Sequence, residues 1–364
     1  MQSFLGVKIA QIAPLAESVP PKLYGGTERV VSYLTEELVR VGHDVTLFAS
    51  GDSQTSARLV AGVPRALRLD PAVKDPLAPL MTMLERVRQR ANEFDVLHFH
   101  VESVHLPVFR GLARKTLTTL HGRLDLPELA ALYREFGDMP LAAISNSQRS
   151  FLPKAHWAGT VHHGLSPEVC PLNPSPPRGA GRYFAFLGRI SPDKGVERAI
   201  EIARRTGVRL RIAAKVDAGR DERYYRERIA PQLRGPLIEF VGEVDESAKP
   251  AFLGNATALL FPIDWPEPFG LAMIEAMSCG TPVIAWRNGA VPEIVDDGVT
   301  GFVVDSIDQA VNAAQGVARI DRRRVRERFE QRFSAARMAR DYLALYRTLG
   351  RRRAFPVLRP VNAS

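Results

Sequence analysis

The sequence predicts an α/β protein built from two doubly wound halves, each a parallel sheet with helices on both faces. Short apolar runs alternate with helical periodicity along most of the chain, which is the pattern of repeated βα units. The alternation stops at a Pro- and Gly-rich basic stretch, Pro171–Arg182 (PLNPSPPRGAGR), and then restarts. The 364 residues give length for two domains, placed at 1–170 and 171–333, with a last helix in 334–364 joining the first.

In chain order, 7–13 (VKIAQIA) predicts a strand and 28–41 a helix with Val30, Val31, Leu34 and Leu38 on one face. Gly42 caps that helix, 44–49 is the next strand, and 71–92 is a longer helical segment leading to the strand 95–100 (DVLHFH). Strands at 116–120 and 141–145 flank a helix at 126–136. After the linker come a strand at 183–187, a loop at 188–195, a helix ending near Thr206 before Gly207, and a strand at 208–214. A helix at 221–233 and strands at 238–242 and 256–261 follow. Beyond a helix centred on 271–277 lie a strand at 282–285, a short helix at 289–295, a strand at 301–304, and helical sequence to Leu349. In 333–349, Met338, Tyr342, Leu345 and Leu349 recur at helical spacing, so this helix can pack on a surface outside its own domain, and its stripe reads as core.

The chain has no run of eighteen apolar residues and no signal-like start, which predicts a soluble, cytoplasmic enzyme. Two cysteines, Cys170 and Cys279, are too few and too far apart for a disulfide framework or a zinc site. The net charge of +9 includes the clusters Arg322-Arg323-Arg324 and Arg351-Arg352-Arg353. It suits anionic ligands, an acidic membrane surface or nucleic acid, and selects none of them by itself.

Candidate chemistry concentrates in four places. Leu271–Met277 (LAMIEAM) is apolar on every side except at Glu275, so that carboxylate requires a bound ligand or a basic neighbour. Glu267 stands eight residues earlier, in Trp265-Pro266-Glu267-Pro268, where two prolines stiffen the loop before the helix start at Phe269, Gly270 and Leu271. Arg189 and Lys194 flank a strand-to-helix loop, and both can reach one anion over that helix N-terminus; the competing reading is a solvated surface loop. Tyr24-Gly25-Gly26-Thr27 lies between the first strand and helix, where glycines let the backbone approach a phosphate, or simply make a turn. No Gly-x-Gly-x-x-Gly and no Gly-Lys-Ser/Thr occurs there, which excludes a dinucleotide fingerprint and a Walker loop. His98 and His100 share a strand face without a third ligand at zinc spacing, so no metal site is expected. His121-Gly122 ends a strand, placed either to hydrogen-bond a substrate or to shape a turn.

These pieces taken together (KIAQIAP, YGGTERVV, DVLHFH, TLHG, ISNS, FLGRISPDKG, EPFGLAMIEAMSCGTPVIA and EIVDDGVTGFVV) resemble a family-4 retaining glycosyltransferase of the GT-B fold, glycosyl transferase group 1, over nearly the whole chain. The resemblance implies two Rossmann-like domains facing each other across a cleft, a nucleotide-diphospho-sugar donor, and an acceptor that is a carbohydrate, lipid-linked or small molecule. It implies ribose contacts for Glu275, sugar-hydroxyl contacts for Glu267, and diphosphate contacts for Arg189 and Lys194. Backbone amides at Phe269, Gly270 and Leu271 would complete the donor site, Gly25-Gly26 would close over it, and His121 would lie by the donor sugar as the best candidate for a direct catalytic part. It implies no metal and no cofactor, with cations and helix dipoles holding the leaving diphosphate. Weak peripheral attachment to the inner face of a membrane fits the charge, and no nucleic acid is expected. Two segments depart from the family pattern: His163-Gly164-Leu165-Ser166 before the linker, and Ala214-Lys215-Val216-Asp217, where Lys215 is either a further cation near the diphosphate or a surface lysine. A sugar-phosphate synthase, a nucleotide-sugar epimerase, or a non-catalytic nucleotide-sugar-binding or nucleic-acid-binding protein are the competing readings; the Glu267/Glu275/Arg189/Lys194 set weighs against the last pair.

Overall fold

The structure is a computed structural model that describes residues 6–22, 25–177 and 179–349. Tyr24 of the glycine loop and the Arg351–Arg353 cluster lie outside the described residues.

In the first half, β1 (Lys8–Ile12), α1 (Gly26–Arg40), β2 (Asp44–Ser50), β3 (Arg58–Val63), α2 (Leu77–Gln89), β4 (Val96–Phe99), α3 (Leu106–Phe109), β5 (Thr116–Thr119), α4 (Leu129–Glu135), β6 (Leu141–Ala143), α5 (Asn146–Ser150) and β7 (Trp157–Thr160) follow one another. Their strands form one seven-stranded sheet in the order β3-β2-β1-β4-β5-β6-β7. The second half runs β8 (Tyr183–Arg189), α6 (Val196–Thr206), β9 (Arg209–Lys215), α7 (Arg220–Tyr224), β10 (Ile238–Gly242), α8 (Lys249–Gly254), β11 (Ala258–Phe261), α9 (Leu271–Ser278), β12 (Val283–Trp286), α10 (Val291–Ile294) and β13 (Gly301–Val304). It forms a six-stranded sheet, β10-β9-β8-β11-β12-β13. The pairings are parallel throughout. Strand order reverses between β1 and β4 in one sheet and between β8 and β11 in the other, and such reversals open a crevice at the carboxyl ends.

Several elements differ from expectation. The strands β3 and β7 and the short helices α3, α5 and α8 are not predicted; β3 is an edge strand with no buried residue and so shows little apolar periodicity. The helix expected from 71 begins at Leu77, where Asp75 accepts the Leu77 N–H (2.8 Å) behind Pro76. Gly188 and Arg189 belong to β8 rather than to a loop, with Arg189 in register beside Lys215 of β9. The helix expected over 221–233 is α-helical only to Tyr224 and then becomes one π turn and one 3-10 turn, the latter at Pro231. Arg322, one of the basic cluster Arg322-Arg323-Arg324, is buried and donates to the carbonyls of Asn173 (2.7 Å), Gly254 (2.7 Å) and Ala256 (2.9 Å), tying the linker to the second domain.

The helical tail divides into α11 (Ile307–Gly316), α12 (Arg322–Phe333) and α13 (Ala335–Tyr346), with Asp321 and Ser334 as side-chain N-caps for the last two. At Ser334 the chain crosses back: Leu165 N–H donates to Phe333 O (2.9 Å) and Ala335 N–H to Leu165 O (2.8 Å). From there α13 buries Met338, Ala339, Tyr342 and Tyr346 against Ile9, Val30, Leu34 and Leu38 of the first half. A helix late in the sequence thus completes the core of the first domain. Met338→Ala removes a fully buried side chain at that seam and should lower the unfolding free energy by about 2–5 kcal/mol, read as an earlier urea midpoint by circular dichroism.

Candidate active site

Residues of both halves line a cleft of about 450 Å³ at the two crevices. Gly25, Gly26 and His121 come from the first half; Lys194, Glu267, Phe269, Gly270, Leu271 and Glu275 come from the second. Of the candidate catalytic and donor-binding residues, Arg189 alone is not part of this lining. Its guanidinium lies among Asp193 (3.8 Å), Asp217 (3.9 Å) and Asp221 (3.1 Å), and its register partner Lys215 lines the cleft instead.

The Glu267 loop is held in shape by backbone contacts. Glu267 N–H donates to Trp265 O (2.8 Å), and Ala290 N–H donates to Glu267 O (2.9 Å). Gly289, at φ 56°, passes so close that a Cβ there would lie 2.2 Å from Glu267 O and 2.3 Å from its N, so only glycine fits. The neighbouring loop is tied on by Asp264 N–H to Asp193 O (2.7 Å), which brings Lys194 to Glu267. Lys194 Nζ donates to Glu267 Oε2 at 2.6 Å and stands 4.8 Å from the centre of the Trp265 ring, whose Nε1–H donates to the same oxygen at 3.0 Å.

Glu275 is buried on α9 among Met273, Ile274, Ala276 and Met277. Its basic neighbour is Lys249, whose Nζ donates to Oε1 at 2.8 Å. Burial pushes the Glu275 carboxyl up, but Lys249 and Arg29 together outweigh it and hold the group below its ordinary value. Burial opposes the Lys249 charge as well, yet Glu275 and Glu246 keep its pKa raised. Lys249 Nζ also meets Glu246 Oε1 (2.6 Å), and Glu246 Oε2 pairs with Arg29 of α1, so this charge network bridges the two halves. The sequence signal for α8 is an Asp shortly ahead of a Pro: Asp245 Oδ1 accepts the N–H groups of Ser247 and Ala248 (2.9 and 3.0 Å) in the turn before the helix, and Pro250 stands in its first turn.

On the facing wall α1 starts at Gly26, two residues earlier than expected, with Gly25 as its N-cap. The first N–H groups of a helix lack partners within it, so this end favours an anion. A Cβ on Gly26 would lie 3.3 Å from Leu271 Cδ1, which shows how closely the glycine loop approaches the start of α9. Glu17 and Glu28, both buried behind the loop, have their carboxyls pushed up by that burial.

His121 belongs to a buried polar chain. Its Nε2 is 2.9 Å from His100 Nδ1; His100 Nε2 meets Gln11 Oε1 (2.8 Å), and Gln11 Nε2–H donates to the Tyr346 hydroxyl (3.2 Å). That hydroxyl meets His98 Nδ1 (2.8 Å), and His98 Nε2 meets Thr119 Oγ1 (2.7 Å), which reaches Tyr342 OH (3.0 Å). Burial keeps His98 and His100 neutral and pushes His121 down to about 3. With Gln11 oriented as this network sets it, His100 carries its proton on Nε2, so His121 must donate from Nε2 and keeps a lone pair on Nδ1. That Nδ1 is buried and has no hydrogen-bond partner among the described residues. His163, from the segment that departs from the family pattern, also lines the cleft; it stacks on His121 (centroids 5.2 Å, 17°) and meets Phe269 edge-on (4.8 Å). Among the described residues no group of three His, Cys, Asp or Glu is placed to hold a metal ion, and no helix is long and apolar enough to cross a membrane.

The Lys249–Glu275 pair has a pH signature. In the native protein the lowered Glu275 pKa contributes stability above the unfolded carboxylate value of about 4.3, lost as pH falls through the folded value. In Lys249→Met, burial dominates and raises the folded pKa, so the sign reverses and the variant is penalised as pH rises. The gap in Tm between native and variant should therefore widen from about pH 4 to about pH 7 by differential scanning calorimetry; a constant gap would contradict this account.

A family model described as Glycosyltransferase Family 4 matches residues 24–163, and one described as Glycosyl transferases group 1 matches residues 173–333. The chain is 26% identical to a phosphatidyl-myo-inositol mannosyltransferase of Mycobacterium leprae over 349 residues, covering 89% of this chain and 90% of that one. It is 27% identical to a glycogen synthase of Mycobacterium tuberculosis over 397 residues, covering 90% and 93%. Its fold is similar to that of the sucrose-phosphate synthase of Thermosynechococcus elongatus, with TM-score 0.75, 20% identity, and 94% and 99% of the two chains covered. The Anabaena protein HepE, solved with UDP and glucose, has TM-score 0.69, 19% identity, and 94% and 100% coverage. Two facing parallel-sheet domains, a cleft assembled at both strand-order reversals and family models over both halves make this chain a member of the family-4, group 1 glycosyltransferases of the GT-B fold.

Proposed function

We propose that this glycosyltransferase takes its sugar from a nucleotide-diphospho-sugar and passes it to a hydroxyl acceptor with retention of configuration, without a metal ion. The observation that carries the reading is the pair of carboxylates on either side of the α9 N-terminus, each matched to its own lysine, Glu267 to Lys194 and Glu275 to Lys249. A carboxylate so matched stays ionised and keeps acceptor capacity for sugar hydroxyls. Glu275 would take the ribose hydroxyls and Glu267 the hydroxyls of the transferred sugar. The diphosphate would lie over the amides of Phe269, Gly270 and Leu271, with Lys194 and Lys215 as the cleft cations, Arg189 beside them in the sheet, and Gly25-Gly26 closing from the other half.

In this reading the bond from the anomeric carbon to the diphosphate breaks as the acceptor oxygen bonds to the same face of that carbon, and the acceptor's proton leaves on the diphosphate. Charge developing on the leaving group is stabilised by the two lysines and the helix N-terminus, which are already oriented before reaction. Glu267 is bonded at one oxygen by both Lys194 and Trp265, which suits a positioned hydroxyl acceptor better than a nucleophile. His121, neutral and with an Nδ1 that has no partner among the described residues, would accept a hydrogen bond from the donor sugar.

A thermal-shift screen of nucleotide-sugars should find a donor that raises Tm, and NMR of the product should show the anomeric configuration of that donor. An inverted product would rule out retention. With the donor in hand, Glu275→Gln should raise the donor KM about tenfold or more with a smaller change in kcat, whereas Glu267→Gln should chiefly lower kcat. Equal effects on both constants would remove the division of roles. His121→Ala should cost about 100-fold in turnover, and a loss of only a few-fold would exclude a direct catalytic part.

A further inference from the structure

A second cavity, of about 520 Å³, opens in the first domain beside the cleft. Thr27 lines both cavities. The second lies at the carboxyl ends of β1 and β4, where the strand order of the first sheet reverses. Its lining is mostly apolar, with Leu15, Leu67, Val73, Leu80 and Val101 among it, and includes His100 and Glu102. The cation at its rim, Arg68, is paired with the buried Glu17 at 2.9 Å.

Glu102 stands between the two cavities. Among the described residues it is the one non-glycine with a left-handed φ, 52°, a conformation that persists only where surrounding contacts enforce it. Here the enforcing contacts are those of Oε1, which accepts from the backbone N–H groups of His121 and Gly122, each at 3.0 Å, and both of those residues line the donor-side cleft. The other oxygen, Oε2, takes no hydrogen bond among the described residues. Burial pushes the carboxyl up, against the two N–H groups that lower it, and Glu102 itself is half-buried, so Oε2 is reachable from the cavity it lines.

We propose that this second cavity seats the acceptor, an uncharged alcohol with an apolar body, whose reacting hydroxyl donates to Glu102 Oε2. This rests on the glycosyl-transfer reading above and adds the class of acceptor to it. The apolar walls favour a hydrocarbon body over a bare sugar, which would leave its hydroxyls without partners there. An anionic body is disfavoured by Glu102, and Arg68 is already matched to Glu17. Because Glu102 Oε1 holds the His121 and Gly122 N–H groups, which belong to the cleft wall, a hydroxyl on Oε2 would be presented beside that wall. Its oxygen bonds to the anomeric carbon as the bond from that carbon to the diphosphate breaks, and its proton departs with the nucleoside diphosphate.

Octyl β-glucoside below its micelle threshold and methyl β-glucoside serve as probes of the full chain by isothermal titration calorimetry. The octyl compound should bind at least about tenfold more tightly, the gain expected when even two of its methylenes are buried. Leu80→Trp fills the cavity and should abolish that preference, and Val73→Trp, on another part of the lining, is the second variant should the first not fold; donor-induced stabilisation identifies a folded variant. Glu102→Gln should weaken octyl glucoside binding and shift transfer to it down several-fold relative to donor hydrolysis. Equal binding of the two probes, or an octyl preference indifferent to both tryptophan variants, overturns the cavity assignment even where a donor binds. Absence of any donor effect overturns the transfer reading, and the acceptor role with it, whatever the octyl compound does.

Discussion

A carboxylate on an apolar helix has to find its countercharge within a few ångströms, and the matching of Glu275 to Lys249 is the constraint on which the rest of the cleft depends. α9 is buried from Met273 to Ser278, so water cannot supply the compensation. Lys249 supplies it from α8, and Lys249 in turn needs Glu246, whose other oxygen reaches Arg29 of the first domain. One buried charge therefore fixes the position of a helix, orients a loop and brings a residue of the opposite domain to the cleft. The same logic recurs just ahead of α9, where Lys194 answers Glu267 on a loop that Gly289 allows to lie flush against its neighbour.

The other wall obeys a different constraint. His121, His100, Gln11, Tyr346, His98, Thr119 and Tyr342 are mutually hydrogen-bonded in a mostly apolar surround, where a half-satisfied network would cost more than none. Two of its members come from α13, which follows the second domain in sequence and packs on the first in space. The state of His121 in the cleft is thus set by a helix more than two hundred residues away in the chain. That arrangement makes α13 part of the site as well as part of the core.

Much of this architecture is local in origin and legible in the residues. Alternating apolar runs and helical periodicity, together with the break at Pro171–Arg182, identify two doubly wound units because strand and helix periods are properties of neighbouring residues. The lone acid of LAMIEAM points to a buried charge with a required partner, and the prolines around Glu267 point to a rigid loop. Edge strand β3 escapes the same reasoning because no face of it is buried deeply enough to impose a pattern.

The sequence by itself determined the fold class, the candidate strand-end loops and the need for a partner, a ligand or a basic neighbour, beside Glu275. Only the tertiary structure decided which cation answers. Lys249 stands twenty-six residues from Glu275 on a helix that the periodicity did not reveal, and Lys215 lines the cleft because it is the cross-strand neighbour of Arg189, whose own charge is drawn off by Asp193, Asp217 and Asp221. The reason is physical: which charges meet depends on distances across strands and between domains, and those distances exist only once the two sheets have twisted, packed and closed on each other.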